Sequence, residues 1–93
     1  MPFELFHTKL CGYYGAMPTV FRHGPYRCFF YSSDGDEPPH VHVEHERKTC
    51  KFWLEPLRLA RNHGFGAHEL NVIRRIIHSH RAIILEAWHE HCG

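Results

Sequence analysis

His40 to Leu54 reads HVHVEHERKTCKFWL, and this stretch decides the fold. His40 to Glu46 alternates, a charged turn follows at Arg47-Lys48, and Thr49 to Leu54 returns as a second run. Alternation sustained over about four to eight residues marks a half-buried strand, so the stretch reads as a hairpin. Upstream, Tyr26 to Tyr31 (YRCFFY) is an aromatic-rich strand. Thr19 to Arg22 is a shorter β-prone run, joined to it by the turn cluster His23-Gly24-Pro25. Ser32 to Pro39 (SSDGDEPP) holds almost every loop-forming residue type and reads as a surface loop.

Downstream of the hairpin the period changes. Pro56 to Arg61 predicts a short helix with Pro in its first turn, stopped at Asn62-His63-Gly64. Ala67 to His91 predicts one long helix. Leu70, Ile73, Ile77, Ile84 and Ala87 fall on one stripe that Ile76, Ile83 and Trp88 widen. Gly66 stands at its N-cap with Glu69 three residues later, the spacing of a capping box. Strands first and helices second mean α+β: an antiparallel sheet of three to four strands, a short helix, and a long C-terminal helix packed on the sheet. The aromatic strand and Phe52 are expected to meet Leu70, Ile73, Ile77 and Ile84. Residues 1–16 show no clean period and read as an N-terminal extension, with 17–93 the domain.

Ninety-three residues suffice for one modest core. Hydrophobic residues at 43% and aromatics at 14% exclude the signature of disorder. Eleven Lys and Arg against ten Asp and Glu leave a formal charge of +1, which argues against a dedicated nucleic-acid binder. The unusual count is eleven histidines, as many as Lys and Arg together. No apolar run approaches the roughly 18 residues of a membrane span, and the N-terminus lacks signal-peptide character, so a cytoplasmic location is expected. The four cysteines form no CxxC pair. They read as free thiols, and a zinc ribbon is excluded by spacing.

Pro38-Pro39-His40-Val41-His42-Val43-Glu44 is the segment best suited to carry chemistry. On a strand, His40, His42 and Glu44 share one face, and two imidazoles so placed can ligate one divalent transition metal, zinc first among them. A third ligand must come from elsewhere: Glu44 if the strand bends, or His89 or Glu86 from the long helix. The alternative is that His40 and His42 are half-exposed strand residues that hydrogen-bond the long loop and pack on Trp53 or Tyr31. The C-terminal His89-Glu90-His91-Cys92 is not HExxH and reads as a frayed helix end. His80 reads as a core residue with one hydrogen bond. His63 and five other histidines carry no pattern. Cys28 and Cys50 lie on the apolar alternation of their strands, where burial outweighs activation as a nucleophile. Arg22, Arg27, Lys51, Arg58, Arg61, Arg74, Arg75 and Arg81 compose a candidate basic face beside Tyr31 and Trp53, suited to RNA or to an acidic protein.

With MPTVFR at 17–22, GPYRCFFYSSDGDEPPHVHVE at 24–44, KFWLEPLRLARNHGF at 51–65 and LEAWHEH at 85–91, the chain resembles the small bacterial family catalogued as domain of unknown function 4160. The resemblance spans about 17–93 and implies a short prokaryotic protein, encoded beside another in toxin–antitoxin-like operons. It marks Arg27, Pro38, Pro39, His40, His42, Trp53, Glu86, Trp88 and His89 among others, and brings no established catalytic or metal residue. His91 and Cys92 stand where members carry an aromatic pair, and Gly66 where they carry a Ser cap. Three functions follow as expectations. The first is a regulatory or interaction module, one component of a toxin–antitoxin-like pair, working with a protein partner or as a homodimer. The second is a metal-dependent hydrolase or nuclease on His40, His42 and His89. The third is an RNA-binding module on Arg27, Tyr31 and their neighbours.

Overall fold

The computed structural model describes residues 19–31 and 36–92. Five strands come first: β1 (Thr19–His23), β2 (Tyr26–Phe29), β3 (His40–His45), β4 (Lys48–Leu54) and β5 (Leu57–His63). Two helices follow, α1 (Ala67–Ser79) and α2 (Arg81–Cys92). The strands form one antiparallel meander in the order β1-β2-β3-β4-β5. The α+β class is as expected; the sheet has five strands instead of three or four. The segment 1–16 and its reading as an extension lie outside the described residues.

The fifth strand is a correction. Leu57-Arg58-Leu59 was expected to open a short helix, yet its leucines are two apart, which is also a strand spacing. The open edge of β4 supplies backbone partners, with Leu54 opposite Leu57 and Phe52 opposite Leu59. Both leucines pack against the core. Tertiary pairing overrides the local preference. Gly64, at φ 104, then turns the chain toward α1.

The predicted long helix is two. His80 leaves helical geometry at φ −113 and ψ 18, and its backbone N–H is shared between the carbonyls of Ile76 (3.2 Å) and Ile77 (3.1 Å). Its Nδ1–H donates to the Ile76 oxygen at 2.9 Å. His80 is thus a half-buried helix stop against Phe21, rather than a core member of a continuous stripe. Neither Pro nor Gly announces the break. The stripe splits accordingly: Ile73, Ile76 and Ile77 are buried on α1, Ile84, Ala87 and Trp88 on α2, and Ile83 is exposed.

The core lies between the helices and one face of the sheet. Tyr26, Cys28, Val41, Val43, Cys50, Phe52 and Leu54 meet Ile73, Ile77 and Ile84, with Leu70 packed at the margin. Arg81 fixes the start of α2 by donating from Nε to the Leu54 carbonyl at 2.7 Å. Among the described residues no helix is long and apolar enough to cross a membrane.

Candidate functional site

The second face of the sheet is where polar and aromatic side chains gather. Antiparallel register sets Phe29 and Lys51 on either side of His42, and Arg61 and His63 opposite Lys51 and Thr49. Directly opposed residues present their side chains to the same face. Phe29, Tyr31, His42, Lys51, Arg61 and His63 consequently line one hollow of about 200 Å³, with Thr49 beside them. Lys51 is nearly buried; its Nζ donates to Glu37 Oε1 at 2.6 Å and lies 4.6 Å from the Trp53 ring centre. Arg27 donates to Glu44 Oε2 at 2.9 Å and covers the Phe29 ring at 4.4 Å. Arg61 and His63 are exposed.

Tyr31 stands at the rim. It is 40% exposed, and its ring meets Phe29 (5.4 Å, 81°) and His42 (4.5 Å, 74°) edge to face. Its backbone is held from the far end of the chain, because the buried His91 donates from Nε2–H to the Tyr31 carbonyl at 3.2 Å. His91 also packs on Phe30, with ring centres 5.2 Å apart. The expectation of a frayed end at His91 is therefore corrected: this imidazole closes α2 onto the sheet.

The residues considered for a metal are distributed differently. His40 and His42 do share a face, with ring centres 5.0 Å apart. His40 is fully buried; its Nδ1–H donates to the Pro38 carbonyl at 2.9 Å, and its ring packs on Trp88 (4.9 Å) and Trp53 (5.6 Å). That bond assigns the lone pair to Nε2, which is shielded from solvent, as is Nε2 of His42. His42 stacks on Phe29 at 5.4 Å. His89 and Glu86 are exposed on α2, and Glu44 is engaged by Arg27. Among the described residues no three or more His, Cys, Asp or Glu are grouped to hold a metal ion. His40, His42 and His89 do not come together as a ligand set.

The two central cysteines are placed as expected. Burial first, then the neighbouring Cys50 sulfur, pushes the Cys28 thiol up to about 12. Burial and the Glu69 charge push Cys50 up to about 12 as well. Neither is a thiolate at neutral pH, so neither serves as a ready nucleophile. Glu69 does not complete a capping box, since Gly66 offers no side chain. Its carboxylate instead accepts from Tyr26 (2.8 Å) and Lys48 (3.0 Å), with His45 Nδ1 at 3.5 Å. Those contacts hold its carboxyl below the usual range and tie the first turn of α1 to the sheet. Burial, followed by Glu69, drives the Tyr26 phenol up to about 12.

The expected basic face is partly dispersed. Arg27, Lys51, Arg58 and Arg61 share the open face by register. Arg74 and Arg75 belong to a different hollow, beside Leu57 and His78, and Arg81 is spent on Leu54. His63 was read as turn punctuation. Its position two residues after Arg61 is the signal that a strand reading would have used.

Fold and site together define a small α+β protein: a five-stranded meander with two helices on one face and an open cationic, aromatic face on the other. The chain belongs to the family described as Domain of unknown function (DUF4160), whose model matches residues 26–89. No curated protein and no solved structure matches it.

Proposed function

We propose that this protein is a regulatory binding module that takes an anionic partner on the open face of its sheet. The observation that carries this reading is the hollow in which Arg61, Lys51 and His63 surround an aromatic floor. Concave sites with a few convergent polar groups are the usual places for ligands. Cations facing one another from paired strands favour a negatively charged one. The finer reading, one member of a toxin–antitoxin-like pair, rests on the family resemblance alone. It is tested by co-purification with the product of the adjoining gene; recovery of this chain alone from the native operon counts against it.

The binding reading has its own test. Fluorescence anisotropy at low salt, with labelled polyglutamate and labelled RNA as probes, is expected to show saturable binding of at least one. Added salt should weaken it, and Arg61→Glu should abolish it. Binding of neither probe, or binding indifferent to Arg61→Glu, would refute it.

A further inference from the structure

We infer that the sheet-face hollow is a subsite for one nucleotide of a single-stranded polynucleotide, with the base on the Tyr31 ring and the phosphate at Arg61 and Lys51. This deepens the binding-module reading and rests on it. Two independent features converge on it. The first is charge: Lys51 and Arg61 face each other across the β4–β5 pairing, and Thr49 adds a hydroxyl beside them. Lys51 shares its charge with Glu37, which leaves the exposed Arg61 guanidinium as the stronger phosphate ligand.

The second feature is an aromatic ring on the same hollow. Tyr31 is one of two large hydrophobic side chains exposed among the described residues, and the other, Ile83, is on α2. Phe29 is unsuited to stacking, since Arg27 covers its ring at 4.4 Å and His42 stacks on it. Tyr31 meets both neighbours near perpendicular, an arrangement that holds the ring in place while 40% of the residue stays exposed. The His91 bond to its carbonyl holds the backbone beneath it.

A cation and a part-exposed aromatic ring around one hollow match a nucleotide, which presents an anion and a π-face together. An acidic peptide would answer Arg61 and Lys51 but leave Tyr31 unmatched. A duplex would answer the charge but keep its base faces stacked on one another, so the ligand is single-stranded.

The test is anisotropy on the full chain with single-stranded RNA and DNA of one sequence, a fully paired duplex, and polyglutamate. Single strands of either sugar are expected to bind best, with a log K against log salt slope of about −0.7 for the one phosphate neutralised. Tyr31→Ala should weaken binding by about tenfold, and Tyr31→Trp should restore it. Arg61→Ala should weaken binding and flatten the slope by about 0.7. Arg75→Ala, on α1, should change neither. Circular dichroism melts confirm folding, since Tyr31 and Arg61 are both exposed. Preference for polyglutamate over single strands overturns the nucleotide subsite and leaves the binding module standing, whereas failure to bind any polyanion overturns both. Single-strand binding that ignores Tyr31→Ala, or that falls equally with Arg75→Ala, also overturns the subsite.

Discussion

Truncating His40 to Ala is expected to lower the melting temperature sharply rather than strip a metal from the protein. His40 is fully buried, against Trp53, Trp88 and His42, with its Nδ1–H on the Pro38 carbonyl. Loss of that hydrogen bond costs about 1 kcal/mol net. Emptying a ring-sized space among aromatic side chains costs about 2–3 kcal/mol, somewhat below the values for Phe and Trp truncations. The total, about 3–4 kcal/mol, is a large share of the roughly 5–15 kcal/mol that holds a domain together. At about 4–8 °C per kcal/mol for a domain of this size, the melting point should drop by at least about 12 °C. His42→Ala is the internal comparison. Its side chain borders the open hollow, where water can refill the space, so about 1 kcal/mol is expected. Melts by circular dichroism, with metal content by mass spectrometry on chelator-treated and reloaded protein, give both answers at once. Equal melting of His40→Ala and its parent would refute the packing argument, as would loss of a stoichiometric metal held by the parent.

Three further outcomes follow from particular contacts. Glu69 has a carboxyl held below its ordinary 4.5, mainly by Lys48 and then Tyr26. A depressed carboxylate stabilises the fold fully above its unfolded value and loses that contribution as pH falls through the folded one. The melting-temperature gap between the parent and Glu69→Gln should therefore be widest near neutral pH and shrink below about 4.5; a gap that is constant with pH would contradict the ion-pair account. Cys28 and Cys50, raised to about 12 by burial, should resist iodoacetamide in the native protein and react after denaturant, as read by peptide mass mapping. Gly64→Ala should destabilise by about 1–3 kcal/mol, because φ is 104 and a Cβ would lie 2.9 Å from the Lys48 Cγ; an unchanged chemical-denaturation midpoint would be inconsistent with that strain.

The alternation of His40 to Leu54 was sufficient to place the central hairpin, its faces and the burial of Cys50, because a period of two leaves one solution when one face is apolar. Two elements were misread for different physical reasons. Leu57-Arg58-Leu59 is helical or extended on its own, and the unpaired edge of β4 selects the strand. The break at His80 has no Pro or Gly behind it and comes from a side chain that bonds the carbonyl four residues back. Of the metal candidates, His40 and His42 were legible as neighbours. That His89 faces away follows from where α2 begins, which the stripe alone did not reveal.

The net charge of +1 illustrates how a sum conceals an arrangement. It argued against a nucleic-acid surface, and that argument assumes cations and anions are evenly mixed. They are not mixed evenly on the open face. Glu44 is paired with Arg27 and Glu37 with Lys51, each at the edge of the aromatic hollow, while Arg61 and His63 border it exposed. Glu69 and Lys48 offset one another where α1 meets the sheet. Local potential over a concave surface is set by charges within about one Debye length, roughly 8–10 Å at physiological salt. The Glu69–Lys48 ion pair adds little net charge to the whole-chain sum. The eleven histidines divide in the same way. His40, His80 and His91 donate to backbone carbonyls and build the fold. His42 and His63 line the hollow instead, beside Phe29 and Tyr31.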